Sequence, residues 1–221
     1  MSLHELLQTR RSIRAYTDQP IDQSIIKNIF TTAQLSPSNC NTQPWHVSVI
    51  SGAMRDKIEQ VMLAEIMQGN KPKNHFPAGD QDLVDQYRRR QIECAKALYD
   101  SVGIQYEDKE KRRELMLRNW SFFGAPHVAF FSMPKQMGPV NAVDLGIYLQ
   151  TVMLLMTERG IGCCAQGALA FYPDAAHQYG GVPETHAILC GLAFGYADPD
   201  APINSYSVGR APIEDSVTFI S

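Results

Sequence analysis

Three guanidiniums and a hydroxyl fall within five residues at Arg10-Arg11-Ser12-Ile13-Arg14. The planar donor fork of arginine matches phosphate oxygens, and a serine hydroxyl or backbone N–H can complete a cradle around them. The stretch is either an anion-binding segment or a solvated basic face. A second segment, Ser36–Trp45 (SPSNCNTQPW), offers Ser36, Ser38, Asn39, Asn41, Thr42 and Gln43 as short donors and acceptors. If buried, such a loop must satisfy its polar groups, and that density suits the edge of a planar heterocycle. An ordinary Asx-rich turn is the plain alternative. Both segments are built to hold something, not to attack it.

Other chemistries leave no signature. His4, His46, His75, His127, His177 and His186 never fall four residues apart, and Cys163-Cys164 are adjacent, without the spacing of a C-x-x-C motif. A metal centre is not expected. No G-x-G-x-x-G or Walker A sequence occurs, so neither a Rossmann site nor a P-loop is indicated.

The elements that must position these segments follow from periodicity. Ser2 and Glu5 form a capping box for a helix over Leu3, Leu6 and Leu7. Asp22 caps a second helix whose Ile25, Ile26, Ile29, Phe30 and Ala33 keep the 3.6 period. Trp45–Ile50 alternates as a strand, Ala53–Gln68 returns to helical spacing, and Gly69–Gly79 is a loop. Gln81–Asn119 is the most charged part of the chain and fits two amphipathic helices broken near Gly103, forming either a lid over a pocket or a pair of surface helices. Its neighbourhood carries Phe76, Tyr87, Tyr99, Trp120 and Phe122, which either line a pocket or pack helices.

Further along, His127–Met133 and Ala187–Gly195 read as strands. Asp144–Arg159 is apolar on nearly every side, predicting a fully buried helix with Asp144 at its positive end. The tail Asn204–Ser221 has no helical period and ends in a strand candidate, Ser216–Ile220. Many helices, few strands and an extended tail predict α+β packing that relies on a partner subunit.

The chain of 221 residues can bury a sizeable core and reads as one domain, 1–221, with a helical excursion at about 69–121. A net charge of −3 argues against nucleic acid or an anionic membrane as partner. No apolar run approaches the ~20 residues that span a bilayer, and the N-terminus lacks the pattern of a signal peptide. Five cysteines without a framework suggest reduced thiols and a cytoplasmic setting. Cys163 and Cys164 are read as small buried apolar residues.

The order of these motifs resembles the bacterial FMN-dependent nitroreductase family. The resemblance is carried by Arg10–Tyr16, Ser36–Asn39 with Asn41 and Gln43-Pro44-Trp45, Phe122–Pro126, Asp144-Leu145-Gly146, Gly160-Ile161-Gly162, Asn204 and Gly209-Arg210. It runs essentially from end to end. It implies a mostly antiparallel central sheet wrapped by helices, in an intertwined homodimer that exchanges C-terminal tails and binds FMN at its interface.

By that resemblance Arg10, Ser12 and Arg14 hold the phosphate and ribityl chain, Arg11 lies near the ring, and Arg210 completes the phosphate site. Four arginines overcompensate one dianion, so one is expected to pair with a local carboxylate such as Asp18 or Glu214. Pro37, Ser38, Asn39 and Asn41, with Gln43 nearby, reach the flavin from the partner subunit. Cys164-Ala165-Gln166-Gly167 matches the segment whose backbone N–H approaches flavin N5, with Gln166 where a glutamate is common. The implied activity is hydride transfer from NAD(P)H through FMN to a nitroaromatic, quinone or other small electron-poor acceptor. A different reaction on the same flavin (reductive dehalogenation, flavin breakdown or metabolite dehydrogenation) and a non-catalytic flavin-binding dimer are the alternatives.

Overall fold

A computed structural model describes residues 1–80 and 82–221. Gln81, which opens the charged stretch, lies outside the described residues. Four strands form one antiparallel sheet in the order β1-β2-β4-β3: β1 is His46–Ser51, β2 His127–Pro134, β3 Gly162–Gln166 and β4 His186–Gly195. Along β2 the side chains alternate between layers. Ala129, Phe131 and Met133 join one core, whereas Val128 and Phe130 join the other. Both faces are covered, which explains why β2 reads as an unbroken apolar run.

The first layer packs α2 (Gln23–Ala33) and α6 (Pro139–Glu158); the second packs α3 (Gly52–Met67) and α7 (Asp174–Tyr179). The capping box of α1 (Leu3–Thr9) forms as expected, with the Glu5 N–H on Ser2 Oγ at 3.3 Å and the Ser2 N–H on Glu5 Oε2 at 2.7 Å. The Asp22 carboxylate caps α2 through the Ser24 N–H at 2.7 Å. The charged excursion forms α4 (Asp85–Ser101) and α5 (Lys109–Leu117). Gly103 takes φ of +67° between them, a conformation that costs glycine least. No residue of α4 is buried.

Several expectations are corrected. The long apolar helix starts at Pro139, so Asp144 lies inside it and not at its start. Pro139 at the first helical position is pre-set for helical φ. Nor is α6 buried all round: Leu145, Tyr148, Val152 and Met156 face the core, while Val140, Val143 and Ile147 are exposed. α6 has the length and mean composition of a membrane-spanning helix, but Asn141, Asp144 and Gln150 interrupt its apolar run. Here it is the helix laid across the sheet. β3 and the short α7 had no periodic signal. Ser216–Ile220 forms no strand and pairs with none of the four. Only a single 3₁₀ turn, Ile213–Asp215, interrupts the exposed tail.

Candidate functional site: an arginine segment laid on the edge of β3

The basic segment runs extended beside β3. Ser12 and Cys163 form a parallel bridge, and the Ile13 N–H donates to the Cys163 carbonyl at 3.0 Å. Ile13 is the buried pin, and it fits only because residue 162 is glycine: a Cβ there would stand 2.8 Å from Ile13 Cγ1. Tyr16 locks the segment from below, its hydroxyl donating to the Ile13 carbonyl at 2.7 Å. Burial pushes that phenol well above its ordinary pKa, so it remains a donor.

The tail closes over the other side. Asn204 accepts the Arg14 N–H at 2.8 Å and donates to the carbonyls of Ala15 at 2.9 Å and Asp198 at 3.0 Å. Arg11 donates to the carbonyls of Asn204 at 3.1 Å and Tyr206 at 3.2 Å. The expected carboxylate partner is thus corrected. Neither Asp18 nor Glu214 pairs with this cluster; Arg11 is engaged by neutral carbonyls instead, and among the described residues Arg10, Arg11, Arg14 and Arg210 form no ion pair.

Arg10, Ser12 and Arg14 flank Cys164. Burial raises its thiol pKa, partly opposed by Arg14, Ser12 and Arg10, and pushes that of Cys163 to about 12. These thiols are neutral packing groups, not thiolate nucleophiles. Next to them, Ala165 and Gly167 are exposed while Gln166 is buried. The Gln166 amide nitrogen donates to Asn119 at its carbonyl (2.8 Å) and at Oδ1 (3.3 Å). This side chain ties β3 to the end of the excursion and leaves the backbone as the open feature.

The polar loop is displayed, not buried, apart from Ser36, Pro44 and Trp45. Its Asn39 N–H donates to Asp144 Oδ1 at 2.9 Å, a bond that partners one oxygen of this buried carboxylate. Ser38 Oγ accepts the Gln43 N–H at 2.9 Å. Cys40, Asn41 and Gln43 take positive φ of 49°, 54° and 46°. The resulting tight turn leaves Pro37, Asn39, Asn41 and Gln43 exposed. Trp45 stacks on Tyr148 at 4.7 Å and donates to Gln34 Oε1 at 3.1 Å, anchoring the loop's exit.

Within one chain the described residues place no hydrogen bond between this loop and the arginine segment. Arg210 is also apart, bonded to the Val208 and Gly209 carbonyls in a groove shared with Arg89 and Arg90. Of the aromatic candidates, Trp120 and Phe122 are core residues. Phe76 lines a cavity of about 560 Å³ with Ala142, Gly167, Phe171 and Leu189. Sequence reading missed Tyr206 and Arg118, both in contact with Arg14, because neither stands in a periodic or spaced pattern.

This fold and site define a nitroreductase-like protein, and comparison agrees. The Nitroreductase family model matches residues 7–196, so the chain belongs to that family. It is 34% identical over 214 residues to nitroreductase NfnB of Mycolicibacterium smegmatis, covering 97% of this chain and 91% of the relative. It is 31% identical to a 4-nitrobenzoate reductase of Pseudomonas putida, covering 97% and 94%. The crystal structure of the FMN and NADPH-dependent nitroreductase NfnB from sphigopyxis sp. strain HMH superposes with a TM-score of 0.96 at 33% identity, covering all of both chains.

Proposed function

We propose that this chain is an FMN-dependent oxidoreductase that passes a hydride from NAD(P)H to a nitroaromatic, quinone or similar electron-poor acceptor. One observation carries the reading: Arg10 and Arg14 stand with Ser12 near the exposed residues Ala165 and Gly167, and among the described residues no carboxylate neutralises them. Such a set fits a phosphate at one end and a heterocycle along β3. The names of the relatives, NfnB and 4-nitrobenzoate reductase, point the same way.

When bound, the flavin supplies two-electron chemistry at N5. The protein residues bind and orient. Arg10, Ser12 and Arg14 hold the phosphate and ribityl chain, while Arg11 fixes the tail against them. The 164–167 backbone faces the ring, and the cavity beside Gly167 and Phe76 admits the acceptor. Pro37, Ser38, Asn39, Asn41 and Gln43 serve the flavin of a partner subunit.

Homodimerisation with exchanged tails is part of the proposal. The outer edge of β1 borders a groove of about 920 Å³, α6 exposes Val140, Val143 and Ile147, and Phe219 and Ile220 are bare in one chain. Exchange brings Arg210 to the partner's phosphate site. The reading is of a single domain, 1–221, with its helical excursion at 69–121, in the cytoplasm, where five free thiols stay reduced.

Anaerobic titration tests the function. The purified protein should carry FMN that bleaches with NADH or NADPH and regains its colour with 4-nitrobenzoate or a quinone. Bound flavin that neither nicotinamide bleaches would overturn the catalytic reading in favour of a flavin-binding dimer.

A further inference from the structure

Arg14 is held from several directions, and Tyr206 supplies two of them. The guanidinium donates to the Tyr206 hydroxyl and lies 5.6 Å from the Tyr206 ring centroid. It is also 5.6 Å from the centroid of Phe123. Arg118, at the end of the excursion, donates to the Arg14 carbonyl at 3.1 Å, and Arg11 holds the Tyr206 carbonyl at 3.2 Å. Phe123 and Arg118 thus hold the arginine, and Arg11 holds the backbone of the tyrosine.

The chemistry of the acceptor matters. Burial raises the Tyr206 pKa, outweighing the opposing pull of Arg14, so the hydroxyl is a neutral phenol at ordinary pH. A carboxylate in its place would fix the guanidinium and also cancel its charge. A phenol fixes it and leaves the charge for another anion. Arginine carries large rotamer freedom, and restricting it beforehand lowers the ordering cost of binding.

We infer that Tyr206 is a positioning residue: its hydroxyl and ring hold the Arg14 guanidinium ready for the flavin phosphate without neutralising it. The inference rests on the proposed role of Arg14 in FMN binding. It concerns a tail residue for which the motifs of the sequence assign no role.

A double-mutant cycle on FMN affinity tests it, with flavin-stripped protein titrated by fluorescence. Tyr206→Phe keeps the ring and removes the acceptor. It should weaken FMN binding by roughly three- to tenfold, the size of a lost charge-assisted hydrogen bond felt indirectly, with little change in melting temperature. Arg14→Ala should weaken it more, and the double variant should be no worse than Arg14→Ala. Losses that multiply independently would mean a merely structural role and overturn the inference. So would a wild-type Kd for Tyr206→Phe beside a weakened Arg14→Ala, with the Arg14 reading left standing. A wild-type Kd for Arg14→Ala would remove that reading itself. Should Tyr206→Phe fail to fold, the same cycle is run with Tyr206→Leu.

Discussion

Ile13 donates its backbone N–H to the carbonyl of Cys163 at 3.0 Å. Through this bond two motifs 150 residues apart become one surface, because the arginines extend the sheet as a fragment of a fifth strand on the edge of β3. In an extended segment alternate side chains share a face, which places Arg10, Ser12 and Arg14 together beside Cys164.

The contact between Ile13 and Gly162 is tight enough to make a prediction. In Gly162→Ala the new methyl meets Ile13 Cγ1 at 2.8 Å. Overpacking of this kind costs about 1–3 kcal/mol and should lift the arginine segment off β3. The expected outcome is a melting temperature lower by roughly 2–10 °C together with loss of flavin during gel filtration. Full flavin retention would show that the segment does not need the β3 edge.

Arg10 makes no side-chain hydrogen bond or ion pair among the described residues, so its removal should spare the fold. Charge-assisted bonds contribute about 1.5–3 kcal/mol each. Arg10→Ala should therefore bind FMN roughly 10- to 100-fold more weakly with an unchanged melting curve. Isothermal titration of flavin-stripped protein measures both the affinity and the stoichiometry.

Among the described residues Asp144 is the only buried carboxylate, and the Asn39 N–H donates to it. Asp144→Ala leaves the Asn39 N–H without its charged acceptor and should destabilise the fold by about 1–3 kcal/mol. Its clearest sign should be faster hydrogen exchange across residues 38–43, with exchange in β2 unaltered. Uniform change across the chain would point to general loosening instead.

The pH dependence of stability has a definite sign. His127 bonds Ser51, stacks on Phe194 at 5.1 Å, and has its pKa lowered from 6.5 by burial. His186 is lowered by burial first and by His46 and His177 next. The unfolded chain therefore takes up these protons before the folded one does. Their stabilising effect is complete above pH 6.5 and is lost as pH falls through that value toward the folded pKa values. Melting temperatures at pH 7.5 and 5.5 should differ, and His127→Phe, which keeps the stack on Phe194, should narrow the gap. An unaltered gap would assign the acid sensitivity to other groups.

Local patterns in the chain decided a good deal. The capping residues Ser2 and Asp22, the period of α2 and α3, the alternation of β1 and the short apolar runs of β2 and β4 were all legible, because each depends on residues only a few positions apart. So was the division of the excursion at Gly103. The chemistry of the arginine segment and polar loop was legible as well, because side-chain type alone sets which ligands such groups can hold.

Long-range geometry decided the rest. The five residues of β3 include one glycine and one alanine and no alternation, so only pairing with β4 makes them a strand. Asp144 looked like a helix cap until folding placed it against the Asn39 N–H, and the partner of the Gln166 side chain, Asn119, could not be read from the sequence. Arg11 was expected near the ring, and that the tail's carbonyls engage its guanidinium could not be read from the sequence. In each case the residue type was fixed by the sequence, but its partner lay tens to hundreds of residues away. A hydrogen bond is chosen by proximity and direction in space, and those exist only once the chain has folded.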